Sequence, residues 1–105
     1  MSRLEQMLQF LEQDPNDSFA RYAVALEYRS AGQLELAFEH LLDVRRRDPE
    51  YLPSYYQLGQ LYAEQNDLAN AEEAFTAGME VARRQNDRHT LAELEQALDE
   101  LDALR

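Results

Sequence analysis

Residues 55–75 read YYQLGQLYAEQNDLANAEEAF. The stretch predicts two helices joined by a tight turn, with small residues, Gly59 and Ala71, where the two would touch. Antiparallel helices approach to about 8–10 Å only when the residues at the contact are small. Glycine inside a helix costs about 1 kcal/mol relative to alanine, so a close contact is what would retain Gly59. Asn66 takes the turn, as the next best occupant of a left-handed site after glycine, and Asp67 caps the second helix. Tyr62 and Phe75 are expected to fill the space around the contact, leaving Tyr56 as an exposed aromatic.

The same signals recur on both sides of this hairpin. Ser2 and Glu5 form a capping-box pattern ahead of one apolar stripe, Leu4, Met7, Leu8 and Leu11. Asp14-Pro15 ends that helix, because the residue before proline is pushed out of the α region. Asn16, Asp17 and Ser18 offer caps for a second helix running to about Ala31, with Gly32 as its left-handed terminator. A third helix is predicted over about 34–46. Arg45, Arg46 and Arg47 cluster at its end, where cations complement the helix dipole, and Asp48-Pro49 repeats the stop. The fourth helix covers about 52–65 and the fifth about 68–84. Thr90 and Glu93 form another capping-box pattern for a sixth helix reaching about Leu104, striped by Leu91, Leu94, Leu98 and Leu101.

Composition agrees with an all-α chain. Gly and Pro number three each among 105 residues, isoleucine is absent, and Ala, Leu, Glu, Gln and Arg, which lose little freedom in a helix, dominate. That length suits one domain with a modest core. No cysteine is present, so neither a disulfide framework nor a thiolate metal site is available. Arg3 and Glu5 interrupt the first residues, which lack the apolar core of a signal peptide. No stretch approaches the roughly 20 apolar residues of a membrane span. The expected location is the cytoplasm. A net charge of −11 repels nucleic acid and anionic membranes, so neither is an expected partner. All ten basic residues are arginine. Such an acid-rich, lysine-free surface is either an ordinary solvated helical surface or the mark of a salt-loving host.

Shifting the chain by 34 residues superposes it on itself. Asp14-Pro15 falls on Asp48-Pro49, and Tyr22 and Tyr28 fall on Tyr56 and Tyr62. Val24-Ala25 falls on Leu58-Gly59, Leu34 on Leu68, Ala37 on Ala71 and Leu41 on Phe75. Met7, Leu8 and Phe10 fall in turn on Leu41, Leu42 and Val44. A fixed period in this range marks stacked supersecondary units.

The pattern resembles the tetratricopeptide repeat, whose unit is a pair of antiparallel helices. Val24, Ala25, Tyr28, Ala37, Leu41 and Pro49 carry the resemblance in one repeat. Leu58, Gly59, Tyr62, Ala71, Phe75 and Gly78 carry it in the next, with Tyr55 at the opening aromatic site. Arg21 stands where that aromatic is usual, and Arg83 where a closing proline is usual. The resemblance implies a right-handed α-solenoid of about six helices in a single domain. Its parts would be an N-terminal helix over 1–15 like a second half-repeat, repeats over 18–51 and 52–85, and a capping helix over 88–105. Either Glu93 or Glu95 sits where a further packed helix would need a small residue, which favours a polar-backed cap. A docking or dimerisation helix is the alternative.

No catalytic constellation emerges. His40 and His89 are isolated, without HxxxH or HExxH spacing, and the acidic residues form no EF-hand loop. Neither a Gly-rich phosphate loop nor a nucleophile with an evident base is present. A non-enzymatic chain without cofactor or metal is expected. In the resembled family, the first helices of successive repeats line a concave groove that receives an extended peptide or partner helix. Carried over, the partner-binding residues are Phe19, Tyr22, Leu26, Arg29, Tyr56, Gln57 and Gln60, accompanied by Ala23, Ser30, Ala63 and Glu64. Tyr22 and Tyr56 lead as exposed aromatics, the alternative being that some of these residues fill the seam between repeats. Clamps for a partner's terminal carboxylate in that family use Lys and Asn, which this chain lacks at the matching places. The expected function is protein or peptide binding, with self-association into a homo-oligomer through the capping helix or the groove as the alternative.

Overall fold

Four of the six helices begin where a side chain satisfies a backbone N–H group that has no partner within the helix. The computed structural model describes residues 1–105 and holds six helices and no strand: α1 (Arg3–Gln13), α2 (Ser18–Ser30), α3 (Leu34–Arg47), α4 (Pro53–Glu64), α5 (Leu68–Arg84) and α6 (Arg88–Asp102). The Ser2 hydroxyl accepts from the Glu5 N–H at 3.1 Å, and Asp17 accepts from the Ala20 N–H at 3.0 Å. Asp67 accepts from Asn70 at 3.3 Å and Asp87 from Thr90 at 3.0 Å. Each such cap contributes about 1 kcal/mol.

Helix ends come in two kinds. After α2, α4 and α5 the chain turns through a left-handed residue: Gly32 at φ 77°, Asn66 at 60° and Asn86 at 57°. In each case the following N–H reaches back five residues, to the carbonyls of Tyr28, Tyr62 and Ala82, all at 2.9 Å. That bond satisfies a helix-end carbonyl that would otherwise lack a partner. After α1 and α3, by contrast, Asp14-Pro15 and Asp48-Pro49 stop the helix in extended geometry.

The start of α6 departs from the capping box expected at Thr90 and Glu93. Asp87 is the cap, and the Thr90 hydroxyl donates to its carboxylate at 2.8 Å. The cause lies upstream. Arg83 replaces the proline that would end α5, so the helix runs on to Arg84 and closes through Asn86. Bonds from the Thr90 backbone and hydroxyl hold the Asp87 carboxyl below its ordinary range.

The chain divides into two compact units, Met1–Ser54 and Tyr55–Arg105. In the first, α1 packs on α2 and α2 on α3. Met7, Leu11, Ala20, Ala23 and Val24 form a core cluster, with Leu4 and Tyr28 against it. Leu8, expected in the α1 stripe, is 38% exposed. With α2 as its main neighbour, α1 covers only the narrow arc of Leu4, Met7 and Leu11. Ala25, Ala37 and Leu41 are fully buried, so these small residues do lie inside the α2/α3 hairpin.

Arg21, the residue in place of the opening aromatic, ties this unit together. Its guanidinium meets Asp43 at 2.9 Å and donates to the Pro15 carbonyl at 3.0 Å. Arg46 also bonds Asp43, and Arg47 reaches it at 2.9 Å while donating to Asn16 at 3.3 Å. The Ser18 hydroxyl donates to Asp48 at 2.6 Å. Burial pushes the Asp43 carboxyl up, but the bonds from Arg46 and Arg47 and the charge of Arg21 outweigh it and hold it below its ordinary range.

The second unit contains α4 from Tyr55 onward, α5 and α6. A Cβ placed on Gly59 would lie 2.2 Å from a ring atom of Phe75, far inside van der Waals contact. The ring of Phe75, rather than the methyl of Ala71, therefore supplies the nearest atoms at Gly59. Gly78 is a second close approach: a Cβ there would sit 2.7 Å from the Tyr55 Cβ and 3.1 Å from Leu94. Tyr55 thus presses its buried side chain onto α5 because α5 offers no side chain in return. Phe75, Leu94 and Leu101 are almost wholly buried around these contacts, and α6 packs along α5.

Candidate functional site

The hydrophobic stripes of α4 and α6 do not meet completely. Between them opens a cleft of about 230 Å³, lined by Gln60, Ala63, Phe75, Ala97, Glu100, Leu101 and Leu104. A smaller recess of about 100 Å³ shares Ala97 and Glu100 with it and adds Tyr56, Glu93 and Gln96. On α4 the lining positions are i, i+4 and i+7, and on α6 they begin at Glu93 and recur at i+3, i+4, i+7 and i+8, with Leu104 just beyond the helix end. Each set occupies one helical face. Phe75 reaches in from α5, and its ring lies 6.2 Å from that of Tyr56.

The cleft has an apolar floor and a polar rim. Phe75, Ala97 and Leu101 are buried, whereas Leu104 is 65% exposed. On the rim the Gln60 amide donates to the Tyr56 hydroxyl at 2.9 Å, and the Gln96 amide donates to Glu100 at 3.1 Å. His89 meets Glu93 at 3.2 Å. A surface of this kind can receive apolar side chains while offering phenol, amide and carboxylate groups to polar ones.

The structure brings Tyr56 and Gln60 of the sequence-derived set into this cleft, together with Ala63. Tyr56 is half-buried rather than exposed, because its ring covers Phe75. Gln57 is half-buried on α4. On α2, Phe19 is 58% exposed, while Leu26 and Arg29 are half-buried and Ser30 is exposed. Tyr22 is also half-buried, its ring 5.5 Å from Tyr51. Burial raises the pKa of the Tyr51 phenol, and Tyr22, Asp17 and Asp48 add to that. Ala23 is buried and offers no surface.

Sequence reasoning missed the α6 side of the cleft, although the signal was present. Gln57, Gln60 and Glu64 map onto Glu93, Gln96 and Glu100 when the shift is 36 residues instead of 34.

The first unit has a different recess, of about 390 Å³, lined by Arg21, Glu39, His40, Leu42, Asp43 and Arg46. There the His40 ring stacks on Tyr28 at 5.5 Å, and its buried Nδ1 has no hydrogen-bond partner. Burial first, then the charge of Arg21, lowers the His40 pKa against the opposing pull of Glu39 and Asp43. No group of three or more His, Cys, Asp or Glu side chains is placed to hold a metal ion. No helix is long and apolar enough to cross a membrane.

Comparison with known proteins agrees with this architecture. The tetratricopeptide repeat family model matches residues 52–85. A TPR repeat-containing protein of Pseudomonas aeruginosa is 28% identical over 97% of both chains. The tetratricopeptide repeat domain protein of Salinibacter ruber, solved in solution, is 33% identical with a TM-score of 0.83, covering 88% of this chain and 93% of that one. At the level of fold alone, the TPR2B domain of yeast Sti1, solved in its pHsp70 complex, superposes with a TM-score of 0.89. That match covers 97% of this chain and 82% of that one at 15% identity. With its 34-residue period, paired helices and small residues at the helix contacts, the chain belongs to the tetratricopeptide repeat family.

Proposed function

We propose that this protein binds a peptide segment or helix of another protein, without catalysis, in the α4–α6 cleft. The observation that carries this reading is the cleft itself: a floor of Phe75, Ala97 and Leu101 under a rim of Tyr56, Gln60 and Gln96. The tetratricopeptide repeat is a protein-interaction fold, and the Sti1 domain was solved in a protein complex. The phenol and amide groups suit recognition because aromatic side chains give large contact area at low entropic cost. On α2, Phe19, Tyr22, Leu26 and Arg29 form a second candidate contact face.

The test is to select peptides from a random display library and measure their affinity for the wild-type protein and for Ala63→Phe. This substitution fills the cleft without altering charge. The reading expects at least a tenfold loss of affinity, with the helical spectrum retained. Selected peptides that bind both proteins equally would place the site elsewhere. Self-association is checked in the same samples by sedimentation, where a monomer at high concentration would set that alternative aside. The lysine-free, acidic surface suits a salt-rich cytoplasm, and a melting temperature that rises between low and molar KCl is the corresponding expectation.

A further inference from the structure

We infer that the occupant of the α4–α6 cleft is a cationic amphipathic segment. It would set an apolar side chain on Phe75, Ala97 and Leu101 and two arginine or lysine side chains against Glu93 and Glu100. The inference rests on the binding role proposed for the cleft and adds the chemistry of the partner.

Three observations carry it. First, the floor is apolar and partly open, so a ligand without an apolar side chain would leave it wet. Second, both carboxylates in the lining come from α6 and stand seven residues apart, roughly 10 Å along the helix axis. That is the spacing of cations at i and i+7 on a partner helix, or at i and i+3 on an extended strand. Third, the charge around the cleft is one-sided. The second unit carries eleven Asp and Glu against four Arg, a net −7 of the total −11. Of those arginines, Arg105 is engaged with Glu72 at 3.1 Å. The two rim carboxylates have weak partners, the exposed imidazole of His89 for Glu93 and the neutral amide of Gln96 for Glu100. An incoming guanidinium can bond to each carboxylate in parallel, which a neutral amide cannot do. An acidic segment would instead meet like charge at both ends of the cleft.

The charge pattern of α6 separates this site from general acidity. Glu95 and Asp99 lie on the same helix and are exposed, but neither lines the cleft. They provide a control of equal charge.

The experiment uses three synthetic helical peptides of the same apolar pattern, carrying arginine, citrulline or glutamate at two positions seven residues apart. Each is titrated into the full chain with amide chemical shifts as readout. The arginine peptide is expected to bind about tenfold more tightly than the citrulline peptide at low salt, and the glutamate peptide more weakly than either. That preference should shrink as salt rises and disappear in Glu93→Gln/Glu100→Gln, while Glu95→Gln/Asp99→Gln keeps it. Equal affinity of the arginine and citrulline peptides, or an equal loss in both double variants, would overturn the inference while leaving the cleft as an apolar binding site. If no peptide shifted Gln60, Ala63, Ala97 or Leu101, the binding role of the cleft would fall with it.

Discussion

The two repeats follow one 34-residue pattern but close their helix pairs by different chemistry. In the first, Arg21 spans from the Pro15 carbonyl to Asp43, joined there by Arg46 and Arg47. In the second, the equivalent residue is Tyr55, buried against Gly78. Position 78 corresponds to Val44, so the side chain absent from α5 is present in α3. The inner contact shows the same exchange: Ala25 and Leu41 become Gly59 and Phe75, one methyl fewer on one side and a ring more on the other. A repeat thus conserves the filled volume of its contact rather than the residues that fill it. The exchange also bears on the proposed site. Charged groups of the first unit are held mainly by one another, whereas the second closes through apolar contacts and leaves Glu93 and Glu100 on the rim of an open cleft.

The largest expected effect breaks the second kind of closure. Gly59→Leu drives several atoms into the Phe75 ring and should cost about 3 kcal/mol or more, seen as a large fall in denaturant midpoint. Gly59→Ala should cost less, since helix propensity returns about 1 kcal/mol. Combined with Phe75→Leu it recreates the pair found in the first repeat. The double variant should then be more stable than the sum of the two single changes predicts, by about 1 kcal/mol. Strict additivity would show that the ring and the glycine are not matched.

A smaller effect is expected where the first unit is polar. Arg21→Ala removes a bond to a carboxylate and one to a carbonyl, and should lower stability by about 1–2 kcal/mol by chemical denaturation. Arg21→Tyr should not recover this, because Val44 occupies the space that Gly78 leaves open. At the turn, Asn66→Ala should cost about 1 kcal/mol, because Asn66 sits at φ 60° and alanine disfavours that conformation.

The smallest effect is a pH dependence confined to the first unit. The His40 pKa is lower in the folded protein than in the unfolded chain, so the unfolded chain binds the proton more readily. Stability from this source is fully present above the ordinary histidine pKa and is lost as pH falls from about 6.5 toward the depressed value. Melting temperatures between pH 7.5 and 5 should decline in the wild type and be flatter in His40→Gln. Asp43 acts lower on the scale, its contribution fading only below the ordinary carboxylate range.

Much of the fold was legible because its signals are local. Asp-Pro stops, Gly32 and Asn66 at left-handed turns, and Asp67 as a cap each act within a few residues of themselves. The errors arose where the outcome depends on distant partners. Leu8 matched a helical stripe, yet the arc that α2 covers decides its exposure. Gly59 was correctly read as a close contact, but the sequence suggested Ala71 as the neighbour where the structure supplies the Phe75 ring. With Arg83 where a closing proline is usual, α5 runs three residues longer than α3, and α6 is capped by Asp87 rather than Thr90. Glu93, Gln96 and Glu100 align with the first-helix face at a shift of 36 residues. Tyr56 looked free in sequence because nothing local reveals that Phe75 lies beneath it.

The claim that function resides in the second unit's cleft is tested most directly by mapping amide chemical shifts as a display-selected peptide is added. The account predicts changes concentrated at Gln60, Ala63, Ala97, Glu100 and Leu101. Changes confined to Phe19, Leu26 and Arg29, with the cleft residues silent, would contradict it.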